Sequence, residues 1–503
     1  MIVSEKEKMD NYISKPLFSY LINTTEKSLA DYKKVYKIGS LFFHCDELTT
    51  VDYSIEGDST ILLFGDIVDT RNGESSQLAQ ELLRNADSLN DLICCENEYG
   101  GKYIILYSKG SHVFLIPDAT CSIPVFYNIH EGESICSDRC MYLALAEKMK
   151  EDDKLKKIRE HSDIYQAMPS DITTYKYIKA LLPNHYLCID KRKSTRIINQ
   201  KDSLKPLPVQ DATNSIIPRI ENMASYYSHK YELRCPLTGG KDSRVVFAFL
   251  KQQNRKIRNY TIIHNTEKPD NSDYEVPRII SNKCNMIHDE IYDKEPHESL
   301  KQYVDNYLGE GTYSYKTLMI ASTIKDYCLG CGIVNGDIIG QVGKCSLHRN
   351  IPDFLATKRY FRRKMHNFSY ESLKYIQDWI NDIQTSEEKT NLYDLFSIEN
   401  RMGRWAGQEN SIYNAIGQHY MNIFNSRSII YSCTRVDRRE RAHGKLHIEL
   451  LRQTNKQLLT IPFGMDESCA EKVARSSWPI YYISSILKYC LERIHFVTRR
   501  NMK

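Results

Sequence analysis

Residues 234–250 read RCPLTGGKDSRVVFAFL. An apolar stretch ends at Leu237 and an apolar, helix-like run opens near Ser243. Between them stand two adjacent glycines, a lysine, an aspartate and two hydroxyl residues. A strand-to-helix corner of this kind is a natural anion site, because helix-start amides point outward at the positive end of the dipole. Gly239 and Gly240 let the backbone approach an anion closely, and Thr238 and Ser243 add hydroxyl donors. Asp242 is a poor neighbour for a bare phosphate, and becomes a sensible one if Mg²⁺ bridges it to phosphate oxygens. The corner fits neither G-x-x-x-x-G-K-[ST] nor G-x-G-x-x-G. The plainer alternative is a tight turn with coincidental polar residues; for a bare Gly-Gly pair it would be preferred, and the seven-residue combination favours phosphate.

Outward from the corner, helices and strands alternate. A helix over Ser215–Lys230 precedes a strand over Glu232–Leu237, and a helix over Ser243–Gln252 follows. A strand over Arg258–His264, a helix over Tyr274–Lys283 and a strand over Met286–Tyr292 continue the pattern. Such alternation predicts a doubly wound parallel sheet. Beyond about residue 350 the sequence reads as mostly helical. The first part differs, with β-like runs at Tyr36–His44, Thr60–Gly65, Lys102–Ser108, His112–Pro117 and Ile123–Tyr127, and helical spacing over Gln77–Asp91. That mixture predicts an α+β layer structure. The polar run NQKDSLKPLPVQDATN near 197–212 reads as a linker. The expected organisation is therefore α+β over residues 1–200 and α/β over 210–503.

With 503 residues, 41% hydrophobic and 26% charged, the chain reads as an ordinary globular protein of two domains. Its formal charge of +4 argues against nucleic acid as the main partner, despite the short basic run Arg359–Lys364. The charged start MIVSEKEKMDNYIS lacks a signal peptide's apolar core, and no stretch is long and apolar enough to span a bilayer. The 15 cysteines show no framework spacing, so a cytoplasmic location with reduced thiols is expected.

Leu237 through Ser243 resembles the (S/T)-G-G-x-D-S pyrophosphate loop of the asparagine synthetase superfamily. These ATP pyrophosphatases adenylate a carboxylate and let an amine displace AMP. Other segments resemble the family in order. The resemblance implies that Asn259–Ile263 is the second strand, with Ile262 and Leu237 near adenine, and that Asp273 opens the next helix. Asn335-Gly336-Asp337 resembles the second nucleotide-side loop, Asp337 sharing Mg²⁺ with Asp242. Arg401, Trp405 and Asn422–Arg427 resemble the acceptor side, and His443–Leu451 with Ile461-Pro462-Phe463 the late helix and proline loop. In the N-terminal part, Gly101–Tyr127 and the run from Thr174-Tyr175 to His185 resemble a glutaminase domain, an Ntn-hydrolase-like sandwich.

The resemblance implies an ATP- and Mg²⁺-dependent, amide-forming ligase. Its substrates would be a small-molecule, sugar or peptide carboxylate and an amine donor. Nucleotide contacts would come from Leu237, Thr238, Gly239, Gly240, Lys241, Asp242, Ser243, Ile262, Asn335 and Gly336. Lys472, Lys445 and Arg244 are the candidates for transition-state charge stabilisation. Two departures stand out: Ile2 replaces the nucleophilic cysteine, which implies no glutamine hydrolysis, and Ile338 and Gly340 interrupt the usual G-x-G-x-D. Asp337 supplies a carboxylate from a shifted register, or the protein is a degenerate nucleotide-binding or scaffolding member. A tRNA-modifying enzyme with a related loop is a further alternative, without a basic stripe to support it. Cys328, Cys331, Cys345 and His348 have zinc-compatible spacing, but the same segment serves the nucleotide reading. The 35 tyrosines spread along the chain rather than clustering, which favours packing over a stacking platform.

Overall fold

The structure is a computed structural model describing residues 15–26, 32–162, 168–198, 205–253, 257–264, 272–309, 312–344, 351–386, 388–464 and 478–502. The strand Leu233–Pro236 is short and almost wholly buried, as expected of a strand covered on both faces. It lies at the centre of a five-stranded sheet ordered His288–Tyr292, Ile257–Ile263, Leu233–Pro236, Gly332–Val334, His419–Met421. Every neighbouring pair is parallel. The chain winds outward from the central strand in one direction, then returns to build in the other. The order therefore reverses between Leu233–Pro236 and Gly332–Val334, and the strand ends there leave a crevice.

One face of this sheet is covered by helices Val209–Lys230, Asp242–Gln252, Ser272–Cys284 and Lys445–Thr454, whose Met223, Phe249, Ile280 and Leu450 share one core. On the other face Leu300, Leu318 and Ile412 come from helices Glu298–Leu308, Tyr315–Lys325 and Gly407–Ala415. The expected helix at Ser215–Lys230 starts earlier, at Val209 after Pro208, since proline suits the entry to a helix. His419–Met421 and a π-helical segment, Phe396–Ala406, interrupt the region read as mostly helical.

The first part carries two six-stranded antiparallel sheets. Alternation along Ser59–Asp69 sends Leu62 and Phe64 into a core between the sheets, while Ile61 and Leu63 meet Leu78, Leu82 and Leu92. The period of two thus places helices outside a sheet pair. Helix Cys140–Ala146 covers the opposite outer face through Leu143 and Ala144, completing four layers. Two sequence expectations are corrected. Tyr36–His44 is a hairpin, Lys34–Ile38 with Leu41–Cys45, because Gly39 turns at φ +57°. The single helix over Gln77–Asp91 is two, Leu78–Asn85 and Leu89–Glu96, the second capped by Ser88, which accepts from Asp91 N.

The antiparallel and parallel sheets are fastened by buried polar bonds. Asn425 donates through Nδ2 to Gly101 O at 2.6 Å and to Asp118 Oδ1 at 2.9 Å. Arg427 Nε reaches Glu96 Oε2 at 2.5 Å, both side chains being buried. Lys102 Nζ crosses to Asn414 Oδ1 at 2.6 Å, and Arg196 lies between Asp382 and Glu399. The seam brings the cleft-lining residues of the first part against the strand ends of the parallel sheet.

Candidate functional site

The Thr238–Ser243 corner leaves the central strand at the crevice where the strand order reverses. Thr238 N donates to Ser243 Oγ at 3.1 Å, and Gly240 N to Thr238 Oγ1 at 3.3 Å. Gly239 N donates to Asp273 Oδ1 at 3.0 Å, so Asp273 braces the turn from the next helix. A Cβ on Gly239 would meet Ser272 O at 2.9 Å and Gly464 Cα at 3.0 Å; nothing larger fits. Gly240 faces open space, with Thr238 Oγ1 at 3.4 Å the nearest atom to a Cβ there. No side chain caps helix Asp242–Gln252, so its starting amides are oriented for an anion.

Asp242 is the most heavily engaged residue of the corner. Lys344 Nζ lies 2.6 Å from Oδ2, and His447 Nε2 lies 2.8 Å from Oδ1. His447 is fully buried and its Nδ1 has no acceptor; with Asp242 ionised, we assign the proton to Nε2. Burial works against the Asp242 charge, but the His447 hydrogen bond and the Lys344 charge outweigh it and hold the carboxyl below its usual range. Burial pulls His447 down, so the ring is neutral despite the carboxylate beside it.

The second loop packs onto this residue. A Cβ on Gly336 would lie 3.1 Å from Asp242 C, and one on Gly340 would lie 3.1 Å from Asp242 Oδ2. Gly340 therefore stands against the carboxylate where a second acid would crowd it. A Mg²⁺ ion needs free oxygen ligands, and both Asp242 oxygens already face N–H donors. The donor set does not fit Mg²⁺, which corrects the expected Asp242–Asp337 pair. Among the described residues, the compact cluster of metal-type side chains is His112, Cys188 and Asp190, on strands of the first part rather than here.

Asp337 turns instead to Tyr420, whose hydroxyl donates to Oδ2 at 3.1 Å. Enclosure pushes its carboxyl up, Tyr420 restrains the shift, and the Asp242 charge adds to it. With Glu409, Lys102, Asn410 and Tyr420 it lines a cavity of about 40 Å³ at the seam. Burial raises Glu409 to about 7, against the Thr317 hydroxyl that donates to it at 2.8 Å. Burial lowers Lys102 to about 7. An acid and a base poised near neutrality in one cavity are a pattern common at functional sites.

Several expected site residues have other roles. Arg244 does not face a ligand. It is fully buried, and donates to Leu458 O, Ile461 O, Pro462 O and Gly239 O at 2.7–3.3 Å, with its guanidinium 4.2 Å from the Phe463 ring. Burial draws it down to about 10. It ties the corner to the proline loop. Leu237 is also fully buried, its N–H spent on Tyr260 O and its carbonyl on Thr261 Oγ1, so its side chain offers no adenine surface. Ile262 is half-buried at the strand end, open to the crevice side. Asn335 caps Asp337 N through Oδ1 and gives Nδ2 to Met421 O; it is a brace.

Lys445 points away, paired with Glu440 at 2.5 Å and more than half exposed. Two residues on a helix lie about 200° apart, so His447, on the same helix, is the one that meets Asp242. Lys472 lies outside the described residues, as do Cys345 and His348. Cys328 and Cys331 are buried. Lys241 lies along Gly444 with Nζ 5.0 Å from the Phe463 ring, at the lip of the corner. Lys344, His447 and Glu409 escaped the sequence reading. Lys344 and His447 are 102 and 205 residues from Asp242, and no local spacing links them to it.

No family model matches the chain, and no curated protein matches it. Among the described residues no helix is long and apolar enough to cross a membrane.

Proposed function

We propose that this protein is an ATP-dependent, amide-forming ligase of the asparagine synthetase kind. The observation that carries the reading is the Thr238–Ser243 corner, opening an uncapped helix at the crevice of a parallel sheet. Helix-start amides and the Thr238 and Ser243 hydroxyls would hold the phosphates of ATP as substrate. Lys344 and Lys241 bring positive charge to the same place. A substrate carboxylate oxygen attacks the α-phosphorus, and the bond to pyrophosphate breaks. An amine then attacks the acyl carbon, AMP leaves, and the amine's proton passes to a base. Glu409, held near neutrality beside Asp337, is suited to take it. No step runs through Mg²⁺.

A second reading, nucleotide binding without turnover, is favoured by the closure of Asp242 with Lys344 and His447. The two separate by experiment. ATP binding is measured by calorimetry, and pyrophosphate release is measured with a panel of sugar, peptide and amino-acid carboxylates, for the wild type and Asp242→Ala. The ligase reading expects carboxylate-stimulated release that Asp242→Ala reduces at least about tenfold, the equivalent of 1.4 kcal/mol. ATP binding without release with any carboxylate sinks the ligase and leaves the second reading. No ATP binding sinks both.

A further inference from the structure

The large buried arginines of this protein are well supplied with acceptors. Arg244 has four carbonyls, Arg427 has Glu96, Asn184 and Pro117 O, and Arg441 has Asp394 with Val342 O and Val436 O. Arg404 breaks the pattern. It is 4% exposed, yet it makes a single hydrogen bond, Nη2 to Ile172 O at 2.8 Å. Its Nε has no acceptor, and among the described residues no carboxylate lies within ion-pair distance of it. Burying a cation without a counter-charge is unfavourable, so the site calls for an anion.

Arg404 lines a cavity of about 510 Å³ between the first part and the C-terminal helices. The volume suits a small organic molecule. Two acids line it, and each already has a cation: Asp138 faces Arg139 at 3.5 Å and Glu151 faces Arg159 at 2.8 Å. Arg404 and the exposed Lys156 are left over. Phe126, Met141, Met168 and Leu308 supply apolar wall. The Cys140 thiol, pushed up to about 12 by burial, is wall rather than nucleophile.

We propose that this cavity binds a small organic carboxylate, its anionic head on Arg404 and its apolar body against Met141, Met168 and Leu308. One buried cation matches a monoanion, whereas a triphosphate would bring more charge than Arg404 and Lys156 balance. The site is separate from the Asp242 corner and does not depend on the ligase reading.

The test titrates the full chain with 4-phenylbutyrate, using 4-phenylbutanol and 4-phenylbutylamine as controls, by calorimetry at millimolar ligand. The carboxylate binds saturably and the controls do not. Lys156→Glu, on an exposed side chain, weakens binding about tenfold by charge reversal at the rim. Arg404→Met abolishes binding and, without ligand, melts no lower than the wild type, because an unbalanced buried charge has been removed. Absence of binding, equal binding of carboxylate and alcohol, or binding unchanged in Lys156→Glu overturns the proposal. A markedly lower melting temperature for unliganded Arg404→Met overturns it too, since Arg404 would then serve the fold alone.

Discussion

Arg244→Met separates a brace from a phosphate ligand. The guanidinium makes four bonds to carbonyls, the best at 2.7 Å to Ile461 O and 2.9 Å to Pro462 O. Hydrogen bonds from charged donors contribute about 1.5–3 kcal/mol each. Part of that sum is offset, because methionine no longer buries a charge and keeps much of the apolar contact with Phe463. A net loss of about 2–4 kcal/mol remains. For a cooperative unit of 150–250 residues this lowers the melting temperature by roughly 4–16 °C. Calorimetric melting supplies the first readout, and ATP titration well below the transition the second. ATP affinity changes by less than about threefold, under 0.7 kcal/mol, because no part of Arg244 reaches the open side of the corner. A variant that melts within about 2 °C of wild type while losing ATP affinity more than about tenfold would refute the assignment and return Arg244 to the phosphates.

Arg427→Met leaves Glu96 buried without its partner, at a cost of about 3–5 kcal/mol at neutral pH. Burial already raises Glu96 and Arg427 opposes that rise, so in the variant the folded-state value climbs further. A carboxyl raised on folding favours the folded state at low pH and loses that favour as pH climbs. The variant's melting temperature therefore recovers toward wild type between pH 8 and pH 5, and a deficit constant across that range speaks against the pairing. Lys344→Met frees Asp242 Oδ2, so titration with MgCl₂ alone gives saturable heat in the variant and none in the wild type; identical titrations count against Lys344 occupying the cation's place.

The corner was legible because its signals are local. Two glycines, flanking hydroxyls and a change from strand to helix all fall within ten residues, and the alternation around them announces parallel winding. Its chemistry was less legible. Asp242 looks like a metal ligand until Lys344 and His447 arrive from distant segments, and that neighbourhood is created by tertiary packing alone. Choosing Lys445 rather than His447 failed on helical phase, which the sequence HGKLHIELL does not settle until the buried face is known. The strand His419–Met421 has three residues and no alternation to read; it is a strand because Gly332–Val334 offers an open edge. Gly39 divided a continuous β-like run because its backbone turns where a side chain would be strained.

The π-helical segment Phe396–Ala406 sends Arg404 into the carboxylate cavity and sets the stacked Arg401–Trp405 pair, 4.4 Å apart, among charges that reach Asp337 and Glu409. A π turn holds more residues than an α turn. Deleting one residue would restore ordinary pitch and swing everything beyond it by about 100°. Both cavities would then lose their side chains together. Length, not residue identity, is thus the variable to which this segment is most sensitive. Homologues that differ by one residue here would be expected to differ at both cavities at once, whereas those that keep the length have room to vary its letters.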